Sequence, residues 1–218
     1  MQLLSVNIAE PHVSPHTNAP DQLTGIDKRP TLDPVTVAAP GPEGVGGSGL
    51  AGDAVCDLRH HGGDDQAVYA FAREDLDDWE RELGRELSNG AFGENFTTSG
   101  GAVNDARIGE RWRVGPDLLL EVTSGRIPCR TFAGWLGERG WIKRFTAKAA
   151  PGAYLRVLEP GAIRAGDPIE VVHRPEHEVS VAFQFRAVTT EPDLLPRLLA
   201  AGEALHPEAR KRALRRTP

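Results

Sequence analysis

The sequence is poor in cysteine, and its two cysteines do not form a recognisable pair. Cys56 and Cys129 are the only cysteines among the 218 residues. They lie far apart and lack the CxxC spacing that is typical of zinc ribbons and thioredoxin-like redox sites. A disulfide-rich scaffold is excluded, because a chain of this length can bury a core without cross-links. We therefore expect a reducing compartment, the cytoplasm, and we expect Cys56 to act as a small buried hydrophobic residue.

Long apolar runs are also missing, and so is an excess of positive charge. No segment approaches the ~18 to 20 apolar residues that a membrane span needs. The first apolar run, MQLLSVNIA, is interrupted by Glu10 and Pro11 and is too short for a signal-peptide core. The chain has 25 Lys and Arg against 31 Asp and Glu, which gives a net charge of −6. This balance argues against membrane and general nucleic-acid partners, so any anion-binding site must be local.

Glycine and proline, by contrast, are frequent. The 24 glycines and 17 prolines separate short runs that are rich in valine, leucine and isoleucine. Many short strands bounded by Gly or Pro turns predict a mainly β fold, a barrel or a sandwich, rather than a doubly wound sheet. The segments predicted as strands are LLSVNIA, PVTVAA, AVYAFA, RWRVG, DLLLEVTS, AYLRVLE and DPIEVVH.

Helices are predicted in three places. REDLDDWERELGREL carries apolar residues at three- and four-residue spacing after an acidic first turn, and TFAGWLGERG is a weaker candidate. After His173 the composition changes, and leucines recur at helical spacing behind prolines. We therefore divide the chain into a β-rich domain at 1–172 and a helical extension at 173–218. The short leucine-rich helices of this extension favour a partner surface, such as that of a homodimer.

A glycine-rich stretch formally matches a dinucleotide-binding motif. Residues 44–49, GVGGSG, satisfy G-x-G-x-x-G. The motif needs a helix that begins at the loop and receives the pyrophosphate, and here further glycines at 52, 62 and 63 oppose such a helix. We interpret this stretch as a flexible surface loop.

Two further motifs combine turns with polar side chains. In DLRHHGGDD, Arg59 precedes His60 and His61, and a glycine pair follows them. Adjacent histidines on an extended chain point to opposite sides, so at most one is expected to face a given site. A turn with one structural histidine is the alternative. In GAFGENFTTSGG, the side chain of Asn95 either caps the backbone of the turn or holds a ligand.

The most reactive side chain is expected in SGRIPCRT, residues 124–131. A thiol is a good nucleophile or soft-metal ligand only as the thiolate, which neighbouring cations favour. Arg126 and Arg130 flank Cys129, but on a regular strand both would point away from it, so they help only if Pro128 bends the chain. An inert, buried cysteine is the alternative. Lys143 and Arg144 either bind phosphate or lie on the surface.

Taken in order, the motifs resemble the MOSC domain family, which is related to the C-terminal part of molybdenum cofactor sulfurases. The helical tail makes the chain similar to the YiiM-like subgroup, in which a small three-helix extension follows the domain. The resemblance covers nearly the whole chain, and RHHGG, FGEN and R-x-P-C are its most specific parts. The matching segments are TGIDKRP, GLAGDAVCDLRHHGGDDQAVYAF, GAFGENFTTSG, ARIGERWRVG, LLLEVTSGRIPCRTF and GAYLRVLEPGAIRAGDPIEVVHRP.

The resemblance implies a MOSC-type β-barrel with a few peripheral helices around a pocket. It implies that Cys129 ligates the metal of a molybdenum cofactor of the molybdopterin type, and that the activity is reduction of N-hydroxylated compounds such as N-hydroxylated bases. A soft thiolate suits such a metal. His60 or His61 is then the candidate proton donor. The candidate cofactor-binding residues, of which the last two rest on charge alone, are Lys28, Arg59, Asn95, Arg126, Lys143 and Arg144.

Electrons are expected to come from outside the chain. The cysteine count is too small for a Cys₄ cluster, so we predict a separate reductase or electron-transfer protein as partner. Two other functions remain open: a sulfur carrier or cofactor-binding module that uses a Cys129 persulfide, and a Cys–His acyl-transfer enzyme. One departure from the family concerns cofactor affinity. Many relatives have Pro-Asp-Lys after the glycine pair, where this chain has Asp64, Asp65 and Gln66.

Overall fold

The computed structural model describes residues 1–217, which contain twelve strands. All seven predicted strand segments contain strands in the structure, and five further strands add to them. The strands are β1 (Gln2–Ile8), β2 (His12–Val13), β3 (Leu23–Thr24), β4 (Arg29–Thr31), β5 (Val35–Val37), β6 (Val68–Ala72), β7 (Phe96–Ser99), β8 (Arg111–Val114), β9 (Leu118–Gly125), β10 (Ala153–Glu159), β11 (Gly161–Ile163) and β12 (Ile169–His173).

Eight of these strands form one mixed sheet, in the order β12-β8-β9-β10-β6-β7-β1-β4. All neighbours are antiparallel except β6 and β7, which are parallel and joined by a helical crossover. The expected closed barrel is wrong, because the sheet keeps two separate edges at β12 and β4. Near β12 a bridge joins Gln2 to Pro168, and backbone hydrogen bonds link Met1 and Leu3 to residues 166–169, but no strand ladder forms there.

Five α-helices accompany the sheet: α1 (Arg73–Leu83), α2 (Arg130–Leu136), α3 (Trp141–Lys148), α4 (Val181–Thr189) and α5 (Pro207–Leu214). The predicted helices α1 and α2 are confirmed, and each ends at a glycine in the left-handed conformation. Helix α3 was not predicted. A 3-10 segment, Pro192–Ala204, connects α4 to α5 and is interrupted by non-helical geometry at Gly202.

The buried side chains form two clusters. The larger cluster lies between the sheet and the C-terminal helices, and it includes Leu3, Trp112, Leu120, Val181 and Leu198. The smaller cluster is aromatic, and in it α1, α2 and α3 pack together, with 4.6 Å between the ring centroids of Trp79 and Trp141. The predicted helical extension therefore shares its core with the sheet.

A hydrogen bond also joins the extension to the sheet. The side chain of Gln184 on α4 is buried, and its Oε1 accepts a hydrogen bond from the backbone N–H of Gly125 at 3.0 Å. Gly125 is the last residue of β9, and Arg126 and Cys129 follow it. The end of β9 is thereby held against α4. Among residues 1–217, no helix combines the length and apolar composition of a bilayer crossing.

Candidate functional site

A cavity of about 480 Å³ lies where the end of β9 meets the loops before β6 and the C-terminal helices. The three motifs RHHGG, FGEN and R-x-P-C all contribute to its wall, although they are far apart in sequence. The extension supplies a further wall through α4 and α5. The ionisable side chains of its wall include Lys28, His61, Tyr69, Arg126, Cys129 and Tyr154.

Cys129 lies in this wall at the start of α2. Its Sγ accepts a hydrogen bond from the backbone N–H of Phe132 at 3.5 Å, so the thiol caps the helix. Burial raises the pKa of this thiol, but the adjacent His61 imidazole, the Arg126 guanidinium and the Phe132 N–H outweigh burial and lower the pKa to about 6. Cys129 is therefore largely a thiolate at neutral pH.

Arg126 is the cation that accompanies this thiolate. Its side chain is almost fully buried and lies over the ring of Phe132, with its Cζ 4.3 Å from the ring centroid. One guanidinium nitrogen donates to the carbonyl of Phe92, whereas Nε has no partner among the described residues. No carboxylate within residues 1–217 forms an ion pair with it. A buried cation without a carboxylate partner favours anionic groups in the cavity, of which the Cys129 thiolate is one.

Arg130 does not share this position. It is exposed and hydrogen-bonds to Asn18 and to the carbonyl of Pro15. Strand β9 ends at Gly125, so the alternation of side chains along a strand no longer applies to Arg126 and Cys129. Beyond the end of the strand, both Arg126 and Cys129 contribute to the cavity wall.

The two histidines are placed differently. His61 is half-buried beside Cys129, whereas His60 is exposed, although both contribute to the wall of the cavity. Gly62 follows with a φ of 81°. A Cβ at Gly62 would lie 2.7 Å from the carbonyl oxygen of Gly47, so only glycine allows this approach.

The interpretation of GVGGSG as a surface loop holds for the exposed Gly44 and Val45 but not for the rest of the stretch. Gly46 and Gly49 are buried, and the N–H of Gly63 donates to the carbonyl of Gly46 at 2.9 Å. The glycine-rich stretch packs against the turn that carries His61. Its glycines allow close packing of the backbone. The G-x-G-x-x-G pattern alone does not tell such packing from nucleotide binding.

Lys28 and Asn95 meet at a buried carboxylate. The Lys28 Nζ lies 2.5 Å from one oxygen of Asp53, and the Asn95 side chain donates to the other oxygen at 2.9 Å. Burial lowers the pKa of Lys28, and the charge of Asp53 opposes this effect. Both Lys28 and Asn95 contribute to the cavity wall. Asn95 also accepts from the N–H of Tyr69 at 3.2 Å, so its amide mainly joins strands.

Three of the proposed cofactor-binding residues lie outside the cavity. Arg59 is exposed and hydrogen-bonds to Asp57 and to the carbonyl of Asn18. Lys143 and Arg144 lie on α3, where Arg144 forms an ion pair with Glu82 at 2.8 Å. The structure therefore does not bring Lys143 and Arg144 to the cavity, and their charge-based assignment to an anion site stays a prediction.

Cys56 also differs from its expected role. Its thiol is half-buried and contributes to the cavity wall, rather than filling the core. Burial and the nearby charge of Asp21 raise its pKa, opposite to the direction found for Cys129. Gln66 contributes to the same wall.

Several residues of the cavity were missed by the sequence reasoning. They are Tyr69, Ser124, Tyr154, Gln184, His206 and Arg212. The tyrosines and Ser124 lie within segments that were predicted as strands. They would have been found if we had also predicted which face of each strand points to the cavity. Gln184, His206 and Arg212 come from α4 and α5, whose return to the cavity depends on tertiary packing.

Comparisons with known proteins agree with the resemblance noted in the sequence. The Bacillus subtilis protein YflK is 33% identical over 184 residues, which are 84% of this chain and 79% of that protein. The Escherichia coli protein YiiM is 30% identical over 131 residues, 58% of this chain and 57% of its own length. A protein of Gibberella moniliformis named "Reductase" is 32% identical over 144 residues, 65% of this chain, but the match spans only 26% of that protein.

Solved structures share the fold. The crystal structure of YiiM from Geobacillus stearothermophilus has a TM-score of 0.77 and 28% identity, and the alignment covers 99% of this chain and 98% of that one. The crystal structure of YiiM from Escherichia coli, at 21% identity, has a TM-score of 0.72. The model of the MOSC domain matches residues 57–170, which include the strands β6 to β10 and the segment of Cys129. The chain therefore belongs to the MOSC domain family, and it is YiiM-like.

Proposed function

We propose that this protein is a molybdenum-cofactor-dependent oxidoreductase that reduces N-hydroxylated compounds, with Cys129 as the protein's ligand to the metal. The observation that carries the proposal is the Cys129 thiolate, whose pKa is lowered to about 6, facing a cavity beside the buried and unpaired Arg126. A thiolate is a soft ligand that suits a metal already bound by sulfur.

The residues of the cavity fit a cofactor of this kind, with which MOSC domains are generally associated. Arg126 has an unpartnered buried Nε, and Lys28 is a second cation in the wall. These two side chains would hold the anionic groups of the cofactor, and Cys129 would hold its metal. When bound, the cofactor would supply the electrons for cleavage of the N–O bond.

The overall reaction constrains what the protein must provide. Conversion of an N–OH group to N–H and water consumes two electrons and two protons. His61, half-buried beside Cys129, is the candidate for moving a proton at this site. The electrons would come from a separate reductase.

The proposal is tested by the metal and pterin content of protein produced in a cofactor-competent cell. Molybdenum is measured by elemental analysis and the pterin by the fluorescence of its oxidised form. We expect near-stoichiometric molybdenum in the unchanged protein and its loss in Cys129→Ser. Cys56→Ser is the matched control, because its thiol lies in the same cavity but has a raised pKa. Absence of both metal and pterin from the unchanged protein would overturn the proposal.

A sulfur carrier is the second candidate, and the same thiolate favours it. A persulfide on Cys129 would need the low pKa and the cationic surroundings but no metal. Persulfide detected by mass spectrometry on protein without metal or pterin would support this candidate. Turnover of an N-hydroxylated substrate after addition of electrons to the cofactor-loaded protein would support the oxidoreductase.

A further inference from the structure

Three hydroxyl-bearing residues form a row across the sheet at the cavity. In the register of the sheet, Tyr154 on β10 is directly opposite Tyr69 on β6 and Ser124 on β9. Directly opposed residues project from the same face of a sheet. All three contribute to the wall of the cavity, next to the segment of Arg126 and Cys129.

The two tyrosines of the row have different hydrogen bonds. The ring centroids of Tyr69 and Tyr154 lie 5.0 Å apart, so the two side chains are direct neighbours. The hydroxyl of Tyr69 donates to the carbonyl of Pro151 at 2.7 Å. The hydroxyl of Tyr154 makes no hydrogen bond to any group of the described residues. Tyr154 is partly buried, and a tyrosine in such a place usually finds a partner for its hydroxyl, so the Tyr154 hydroxyl is available to a ligand.

The charges around Tyr154 keep its hydroxyl protonated at neutral pH. Burial raises the pKa of Tyr154, the charge of Cys129 raises it further, and Arg126 opposes both effects. Tyr154 therefore presents an O–H donor to the cavity at neutral pH.

We propose that Tyr154 is a catalytic residue that contacts the substrate, and that its hydroxyl donates a hydrogen bond to the oxygen of an N–OH group bound beside Cys129. This inference rests on the proposed function, because it takes the substrate class from it. Tyr69 occupies the neighbouring place in the row but uses its O–H for Pro151, so it has no such role.

The test compares binding of N-hydroxylated cytosine and of cytosine to cofactor-free protein by calorimetry. The two ligands differ by the hydroxyl group that Tyr154 is proposed to contact. We expect the unchanged protein to prefer N-hydroxylated cytosine by about fivefold, the effect of one neutral hydrogen bond. Tyr154→Phe should lose this preference, whereas the matched control Tyr69→Phe should keep it.

Two results would overturn the inference: a preference that survives in Tyr154→Phe, or no binding of either ligand to the unchanged protein. A second measurement avoids dependence on the folding of Tyr154→Phe. The chain has two tyrosines, so unchanged protein labelled with ¹³C at the hydroxyl-bearing ring carbon gives two signals. N-hydroxylated cytosine should shift the signal of Tyr154 more than cytosine does, and Tyr69→Phe assigns the signals. Equal shifts with both ligands would contradict the proposed contact.

The failure of this inference is separable from the failure of the proposed function. The binding measurements use protein without cofactor, and the metal analysis does not involve Tyr154. In cofactor-loaded protein, Tyr154→Phe should lower kcat for N-hydroxylated cytosine while the molybdenum content stays unchanged. Loss of molybdenum in Tyr154→Phe would instead assign the side chain to the integrity of the site and overturn its role as a substrate contact.

Discussion

Cys129 and Cys56 contribute to the same cavity, yet their thiols are expected to differ in reactivity. Cys129 has His61, Arg126 and a helix N–H as neighbours, and these lower its pKa to about 6 in spite of burial. The pKa of Cys56 is raised by burial and by nearby carboxylates. Near pH 7, iodoacetamide should therefore modify Cys129 well before Cys56, as mass spectrometry of the alkylated protein can check.

Arg126 is expected to control this reactivity. Removal of its charge in Arg126→Gln should raise the pKa of Cys129, because a neighbouring cation stabilises the thiolate. The alkylation rate of Cys129 at pH 6.5 should then fall about threefold to tenfold. Arg130→Gln is the matched control, since Arg130 is exposed and bonded to the loop at Pro15 and Asn18. An equal fall in both variants would contradict the assignment of the cation to Arg126.

The sequence was sufficient to select Cys129 but not to choose between its two arginines. Both lie within three residues of it, and the choice depends on where β9 ends. Likewise, the histidine pair was recognised, but the inward position of His61 depends on the turn at Gly62. Lys143 and Arg144 were selected by charge alone, and charge does not report that Glu82 on α1 lies beside Arg144.

The turn that carries His61 should be sensitive to one methyl group. Gly62→Ala would place a Cβ 2.7 Å from the carbonyl oxygen of Gly47, in addition to the strain of a φ of 81°. Gly44→Ala is a matched control, because its φ is 84° but nothing lies within 4 Å of the added Cβ. We expect Gly62→Ala to reduce the free energy of unfolding by at least ~1 kcal/mol more than Gly44→Ala, as measured by urea denaturation.

The contact between α4 and β9 gives a second test. Gln184→Leu leaves the buried N–H of Gly125 without its acceptor, so the free energy of unfolding should fall by about 1 to 3 kcal/mol. Gln66→Leu is the comparison, since the Gln66 side chain makes no hydrogen bond within residues 1–217, and its effect should stay within about 0.5 kcal/mol. Equal urea midpoints for Gln184→Leu and the unchanged protein would contradict the importance of this contact.

Apolar elements were predictable, and the shortest elements were not. Five of the seven predicted strand segments contain two or more valines, leucines or isoleucines, whereas β2 and β3 have two residues each and are defined by pairing with one another. Helix α3 begins after Gly140, and its burial depends on Trp141 and Phe145 reaching the aromatic cluster. Such contacts between distant segments are absent from local sequence patterns.

Across the chain, stability should depend on pH through Asp75 on α1. Burial raises the pKa of this carboxyl group to about 6, and Asp78 contributes in the same direction, whereas a hydrogen bond from Asn104 opposes them. The folded state therefore holds the proton more tightly than the unfolded state, whose carboxyl group has the ordinary pKa of 3.8. The resulting cost to stability is absent below about pH 4 and complete above about pH 6.

Asp75→Asn should remove this cost. At pH 8 the variant should unfold at higher urea concentration, with a gain of about 1 kcal/mol after allowance for partial solvation. At pH 4 most of the difference should vanish, because in the folded state both side chains are then uncharged. A gain of the same size at both pH values would show that ionisation of Asp75 is not its cause.

The predicted fold class, a mainly β body with helices, is confirmed, but the predicted closure of the sheet into a barrel is wrong. A mainly β body with helices at the C-terminal end followed from composition and periodicity. Whether eight strands close into a barrel depends on pairing between β12 and β4, which no local pattern encodes. The boundary at 172/173 remains a prediction, although Val181 and Leu198 of the extension share one core with Leu120 of the sheet.

The wall of the cavity that α4 and α5 supply is synthesised last. Synthesis proceeds from the N-terminus, so the strands of the sheet and the segment of Cys129 leave the ribosome before α4 and α5. Until His206 and Arg212 have been made, the cavity lacks one of its walls. A nascent chain therefore presents Cys129 and Arg126 to solvent more openly than the finished protein does, and a bulky ligand has its widest access during synthesis.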